Sequence, residues 1–167
     1  MKDIYLKFTG PDIKGESADK DHKDWIEASS WSHTMHQPKS ATASTAGGHT
    51  AERVEHGDMF FAKDIDLVSP LLYQHCSGGT TFKEVTIEFM RADGEGKRVK
   101  FLETKLMNVL VGSVSPSVVG EGLPNETMTL KYAAVQWKYT QQKIGGGPGG
   151  STSGAWSLVK NDKTYSV

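Results

Sequence analysis

TFKEVTIEFMRADGEGKRVKFLETKLMNVLV, residues 81–111, alternates apolar and polar side chains on both sides of a turn-forming Asp93-Gly94-Glu95-Gly96. In the first arm Val85, Ile87 and Phe89 share one face, and Glu84, Thr86 and Glu88 the other. That period of two is the mark of a half-buried strand. In the second arm Val99, Phe101, Met107, Val109 and Val111 share one parity, and Leu102, Leu106 and Leu110 share the other. Two such runs joined by turn chemistry predict an antiparallel hairpin. Apolar residues on both parities near Val111 predict cover on both faces, from the core on one side and from another chain or a helix on the other.

Just before this hairpin, Ser69-Pro70 followed by Gly78-Gly79 predicts a short helix, with serine as N-cap, proline in the first turn and glycine at the stop. Leu71, Leu72, His75 and Cys76 form its expected buried stripe, with Tyr73 and Gln74 turned outward. Toward the N-terminus, Ile4, Leu6 and Phe8 alternate in a strand that Gly10-Pro11 ends, and the charged stretch 11–23 reads as a solvated loop. Extended patterns are also expected over 25–35 and 52–61. After a turn at 121–125, one long strand is expected over 126–139 and a last short one over 155–159, with the glycine-rich 145–150 as a flexible linker between them. About seven strands and one helix predict a mainly β fold: a closed β-barrel of two packed antiparallel sheets with one short flanking α-helix and a long extended loop. Residues 1–167 are expected to form one domain.

That long loop is the stretch 37–50, rich in Ser, Thr, Ala and Gly and almost without large apolar anchors. It is expected to project and to serve as an interaction element ordered by a partner.

Nineteen Lys and Arg nearly balance twenty Asp and Glu, leaving a formal charge of -1 and no basic field for nucleic acid or an anionic membrane. The single cysteine, Cys76, excludes an intrachain disulfide and fits a core thiol beside His75 rather than a nucleophile with its base. No apolar run approaches the roughly 20 residues of a spanning helix, and the alternating N-terminus is unlike a signal peptide. Of the six histidines, His33 and His36 point to opposite faces of a strand, and no ligand spacing for a metal is present. Asp64 and Asp66 share a face as a possible carboxylate pair, with edge solvation the better reading. Trp25, Trp31, Trp137 and Trp156 fit core and interface, since no basic cluster surrounds them. No catalytic, cofactor-binding or metal residue is therefore assigned.

The ordered segments, taken together, closely resemble the haemolysin-coregulated protein family, Hcp, of bacterial type VI secretion systems. The residues that carry the resemblance are Ile4 to Phe8, Lys14-Gly15-Glu16-Ser17 with Asp21-His22, Trp31-Ser32, and Gly47 to His56. The helix Ser69 to Gly78, the run Leu106 to Val114, and Leu130 to Val135 continue it. The resemblance implies a homohexameric ring, stacked into the inner tube of a contractile apparatus, with the spike protein, the contractile sheath and effector proteins in the lumen as partners. It implies a carrier and chaperone that is cytoplasmic and then exported through the system without a signal peptide. On this reading the loop residues Gln37, Ser40, Ala43, Thr45, Gly47, Gly48 and His49 make contacts between rings or subunits, and Ser32 faces the lumen. Two alternatives stand beside it: a small metal-dependent hydrolase using His33, His49 and His56, and a monomeric ligand-binding β-barrel. Bulky Phe, Met and Leu on inward positions, which fill a small barrel, weigh against the second.

Overall fold

The structure, a computed structural model, describes residues 3–38 and 52–167. The order is β1 (Ile4–Thr9), β2 (Ile26–Ala28), β3 (Ser30–Ser32), β4 (Met35–His36), β5 (Glu55–His56), β6 (Met59–Asp64) and α1 (Ser69–Gly78). It continues through β7 (Thr81–Ala92), β8 (Arg98–Ser117), β9 (Asn125–Lys131), β10 (Ala134–Gln142) and β11 (Pro148–Ser157). The expected hairpin is β7–β8, and it organises the rest. Along one edge β8 pairs with β7; along the other it pairs first with β10 and then with β9.

The path β2-β1-β7-β8-β9-β6-β3 begins and ends on consecutive strands, so the two edges of the sheet are drawn together through residues 26–32. Only Ser29 separates β2 from β3, and its N–H donates to Ala62 O at 2.8 Å. The strand expected over 25–35 is therefore two short strands that change partners at Ser29, because one straight strand cannot serve both β1 and β6. Joining the edges leaves fewer unpaired backbone groups and closes the barrel. The interior holds Leu6, Phe8, Phe61, Phe82, Val85, Ile87, Leu106, Val109, Met128 and Leu130.

Double-face burial of β8 is not what its two apolar parities mean within the chain. Leu106 and Val109 are both buried although three residues apart, and between them Asn108 sits at φ 52°. On the partner strand Phe82 and Val85 are buried with the same spacing. The kink thus moves the core face from one parity to the other on both strands at once. A further irregularity between Val111 and Ser113, at Gly112, shifts the register within the β8–β9 ladder.

The strand expected over 126–139 breaks at Tyr132-Ala133 into β9 and β10. Ala133 turns to donate to Met107 O at 2.9 Å and to accept from Leu158 N–H at 2.8 Å. The glycine-rich 145–150 is not a linker: Lys143 to Gly147 make the turn of a second hairpin and Pro148-Gly149-Gly150 begin β11.

In α1 the N-cap is Val68, not Ser69, whose hydroxyl is engaged by Glu126 Oε1 at 2.5 Å in the interior. Gly79 at φ 64° closes the helix, donating to Cys76 O. Leu72 is fully buried, while Leu71 is exposed and Tyr73 turns inward, reversing the expected places of those two. His75 donates or accepts at Thr80 Oγ1 (2.9 Å) and meets Phe82 edge-on, the satisfied histidine expected.

Nor is the stretch 11–23 simply solvated, since Ser17 and His22 are buried within it. The His22 ring lies flat on Tyr5, centroids 4.1 Å apart, with Trp25 edge-on. Its Nδ1 meets Asp19 Oδ1 at 2.8 Å and its Nε2 meets Glu88 Oε2 at 2.7 Å. Ionised carboxylates only accept, so each ring nitrogen faces an acceptor. The His22 hydrogen bond holds Asp19 below the usual carboxylate range. Burial alone would raise Glu88, but hydrogen bonds from His22 and Lys100 hold it low. Folded-state pKa values below the unfolded ones give stability that is present above the ordinary carboxylate range and lost as pH falls through the lowered values. His22→Phe keeps a ring on Tyr5 and removes both ring nitrogens. We expect a loss of about 1–3 kcal/mol at neutral pH, with both carboxyls moving up in an NMR titration.

Candidate functional site

On either side of residues 39–51, β4 and β5 form a separate two-stranded ribbon, pairing Met35 with His56 and His36 with Glu55. Gly57 N–H donates to Thr34 O at 2.8 Å, an approach so close that a Cβ on Gly57 would stand 3.3 Å from that oxygen. Gln37 is exposed, and its Nε2 donates to Glu52 O across the ribbon. Arg53 donates to Leu158 O and ties the outgoing arm to the body. Of the residues expected to make contacts between copies, Gln37 therefore lies beside the ribbon. Ser40, Ala43, Thr45, Gly47, Gly48 and His49 lie outside the described residues. Ser32 is exposed at the end of β3, opposite Phe60 of β6.

Where the ribbon meets the barrel, His33 and His56 converge on the hydroxyl of Tyr132. His33 Nε2 and His56 Nδ1 each lie 2.7 Å from Tyr132 Oη. The turn at Tyr132-Ala133 is what delivers that hydroxyl, and the bend after β3 delivers His33. Burial pushes the Tyr132 hydroxyl well up and both imidazoles down, His56 further through the neighbouring His33. His36, by contrast, is exposed on β4. Sequence separations of 23 residues between the two histidines, and of 76 and 99 from them to the tyrosine, hide this grouping from any local pattern.

Beside these three residues a groove of about 680 Å³ opens between the ribbon and the β10–β11 hairpin, lined mainly by Met35, Val54, His56, Trp137 and Trp156. At one end of the barrel, Val118, Val119 and Leu123 on the 118–124 loop are 69%, 76% and 79% exposed. Leu67 is also exposed, two residues from Ile65, whose N–H donates to Pro124 O at 3.1 Å. Apolar side chains grouped in this way mark contact surface.

Beneath α1 lies a polar knot that the sequence reading passed over. Lys63 Nζ donates to Glu126 Oε1 (2.6 Å), Asp66 Oδ1 (2.9 Å), Asp64 O (2.8 Å) and Ser69 Oγ (3.3 Å). Glu126 accepts in addition from Tyr73 at 2.6 Å. Burial would raise Glu126, but Lys63, Ser69 and Tyr73 hold it low, while burial and Glu126 push Tyr73 up to about 12. Asp66 is thus a ligand of Lys63 and of the Val68 N–H, 3.1 Å away, rather than half of a solvated carboxylate pair. The signal was present: Lys63 follows Met59 and Phe61 on the inward parity, and Glu126 precedes Met128 and Leu130. Among the described residues no group of three His, Cys, Asp or Glu side chains could hold a metal ion, and no helix is long and apolar enough to cross a membrane.

These features define a class: an antiparallel β-barrel with one short helix and a separate two-stranded ribbon. Residues 5–139 match the family described as "Type VI secretion system effector, Hcp". The chain is 36% identical over 161 residues to Protein hcp1 of Pseudomonas aeruginosa, covering 95% of this chain and 96% of that one. Among solved structures it is similar to a type six secretion system protein (TM-score 0.88, 27% identity, 98% and 100% of the two chains covered). It is similar also to Hcp1 from Salmonella typhimurium, with TM-score 0.76, 27% identity and the same coverage. The chain belongs to the Hcp family of type VI secretion system proteins, the family its ordered segments resemble.

Proposed function

We propose that this chain is a structural, non-catalytic subunit of the type VI inner tube: six copies close into a ring, rings stack, and effector proteins travel in the lumen. The observation that carries the reading is likeness to Hcp proteins along nearly the whole chain. The exposed Val118, Val119, Leu123 and Leu67 support it, because a cyclic assembly offers apolar surface a partner that a monomer lacks. Within the ring Ser32 faces the lumen. Gln37, with Ser40, Ala43, Thr45, Gly47, Gly48 and His49, contacts the neighbouring ring or subunit. The spike protein and the contractile sheath are the further partners, and the subunit passes from the cytoplasm to the exterior with the tube.

Native mass spectrometry and electron microscopy of the purified chain test this. A mass of six chains and annular particles are expected; a persistent monomer at high concentration overturns the reading. Charged, bulky replacements at Ala43, Gly47 and Gly48 should leave rings intact and shorten their stacks, whereas loss of folded protein would place those residues in the core.

A further inference from the structure

We propose that His33, Tyr132 and His56 form an acid-released latch that holds the ribbon β4–β5, and with it the chain on either side of residues 39–51, against the barrel. The Tyr132 hydroxyl has one proton to give. With both histidines 2.7 Å away, it donates to one imidazole and accepts from the other, so one ring nitrogen in the pair must be an unprotonated acceptor. When both rings are charged, the hydroxyl proton loses its acceptor and two cations face each other with centroids 5.8 Å apart. Trp31 lies 6.5 Å from His33 and Trp137 lies 6.2 Å from His56. Asp58, whose carboxylate acts on Tyr132, is held by Lys131 at 2.9 Å. Lys163 lines the groove that His56 shares, adding positive charge, and Glu55, exposed on β5, stands opposite His36 in the strand register. The backbone of Gly57 favours a charged His33, but burial outweighs it.

The sign follows from the buried neutral rings. The unfolded chain, or a detached ribbon, binds protons more readily than the latched state, so attachment weakens as pH falls through the histidine range. The ribbon is the element that yields, because it has two residues in each strand and pairs only with itself among the described residues. Its detachment would open the groove beside Trp137 and Trp156 and shift the chain on either side of the segment proposed to contact neighbouring copies. The latch lies within one chain and does not rest on the ring reading.

Hydrogen exchange at 35–38 and 52–57, corrected for intrinsic rates, tests the latch between about pH 7.5 and about pH 5, where histidine changes charge. Protection of the ribbon should fall about tenfold at the acid end, with β7 and β8 unchanged. His56→Gln, neutral at every pH, should flatten the response, and Tyr132→Phe should show the acid level of exchange already at the higher pH. If His56→Gln does not fold, His33→Gln supplies the same readout. Ribbon protection that ignores pH in the native chain, or that falls equally in the glutamine variant, overturns the proposal.

Discussion

Lys63→Met should lower the stability of the folded chain by about 3–5 kcal/mol, the loss typical when one partner of a buried ion pair is removed. Methionine fills the lysine stem's volume, so the loss is not a cavity effect. It arises because Glu126, 1% exposed, keeps its carboxylate in the interior without a cation. For a chain of this size the thermal midpoint should fall on the order of 10 °C. Adding Glu126→Gln should restore much of it, since the buried charge is gone, the amide oxygen can accept from one of the two hydroxyls that now meet separate carboxylate oxygens, and the amide N–H can donate to the other. The pH dependence carries a sharper signature. In the native chain Glu126 is held low, so its stability is present above the ordinary carboxylate range and lost as pH falls through the lowered value. Without Lys63 the burial effect gains weight, and where it lifts the carboxyl above its unfolded value the variant becomes more stable on acidification. Chemical denaturation of both chains across pH measures this. Equal midpoints at neutral pH would remove the knot from the forces that seat α1.

Phe82→Ala is expected to lower stability by a similar amount, about 3–5 kcal/mol for a fully buried phenylalanine. Phe82 is 0% exposed, sits opposite Val109, and packs edge-on to Phe8 at 4.9 Å and against the His75 ring at 5.1 Å. It therefore joins three parts: the N-terminal strand, the hairpin and the helix. Phe82→Leu, which keeps much of the volume, should lose far less. The distinguishing readout is exchange at α1, which should rise more in Phe82→Ala than in a variant equally destabilised elsewhere. A midpoint within about 1 kcal/mol of the native one would show that the kinked region repacks freely.

Much of the architecture was legible because burial on one face of a strand leaves a period of two in the sequence. That pattern found β1, β7 and β8 from residues such as Ile4, Leu6 and Phe8, while the start and stop residues Ser69-Pro70 and Gly78-Gly79 marked the edges of α1. Breaks and bends were not legible. Ser29, Asn108 and Tyr132-Ala133 interrupt patterns that continue past them, because local propensity does not register a change of strand partner. The glycines at 145–150 misled in the opposite direction: flexible as isolated chain, they are held as the turn and first residues of β11 by pairing with β10. Gln37 was legible as the start of the anchor-poor stretch 37–50, but the ribbon beside it was not.

From the sequence alone came the strand alternation, the single helix, the near-neutral charge, the anchor-poor stretch 37–50 and the ordered segments that resemble Hcp; all are local or linear properties. Tertiary structure alone decided that Lys63 faces Glu126, that His22 links Asp19 to Glu88, and that Tyr132 stands between His33 and His56. Those pairings depend on register and on bends between strands far apart in the chain. A buried charge is tolerable only where such long-range geometry supplies its partner. The periodicity that shows which face turns inward carries no record of which residue will meet it there.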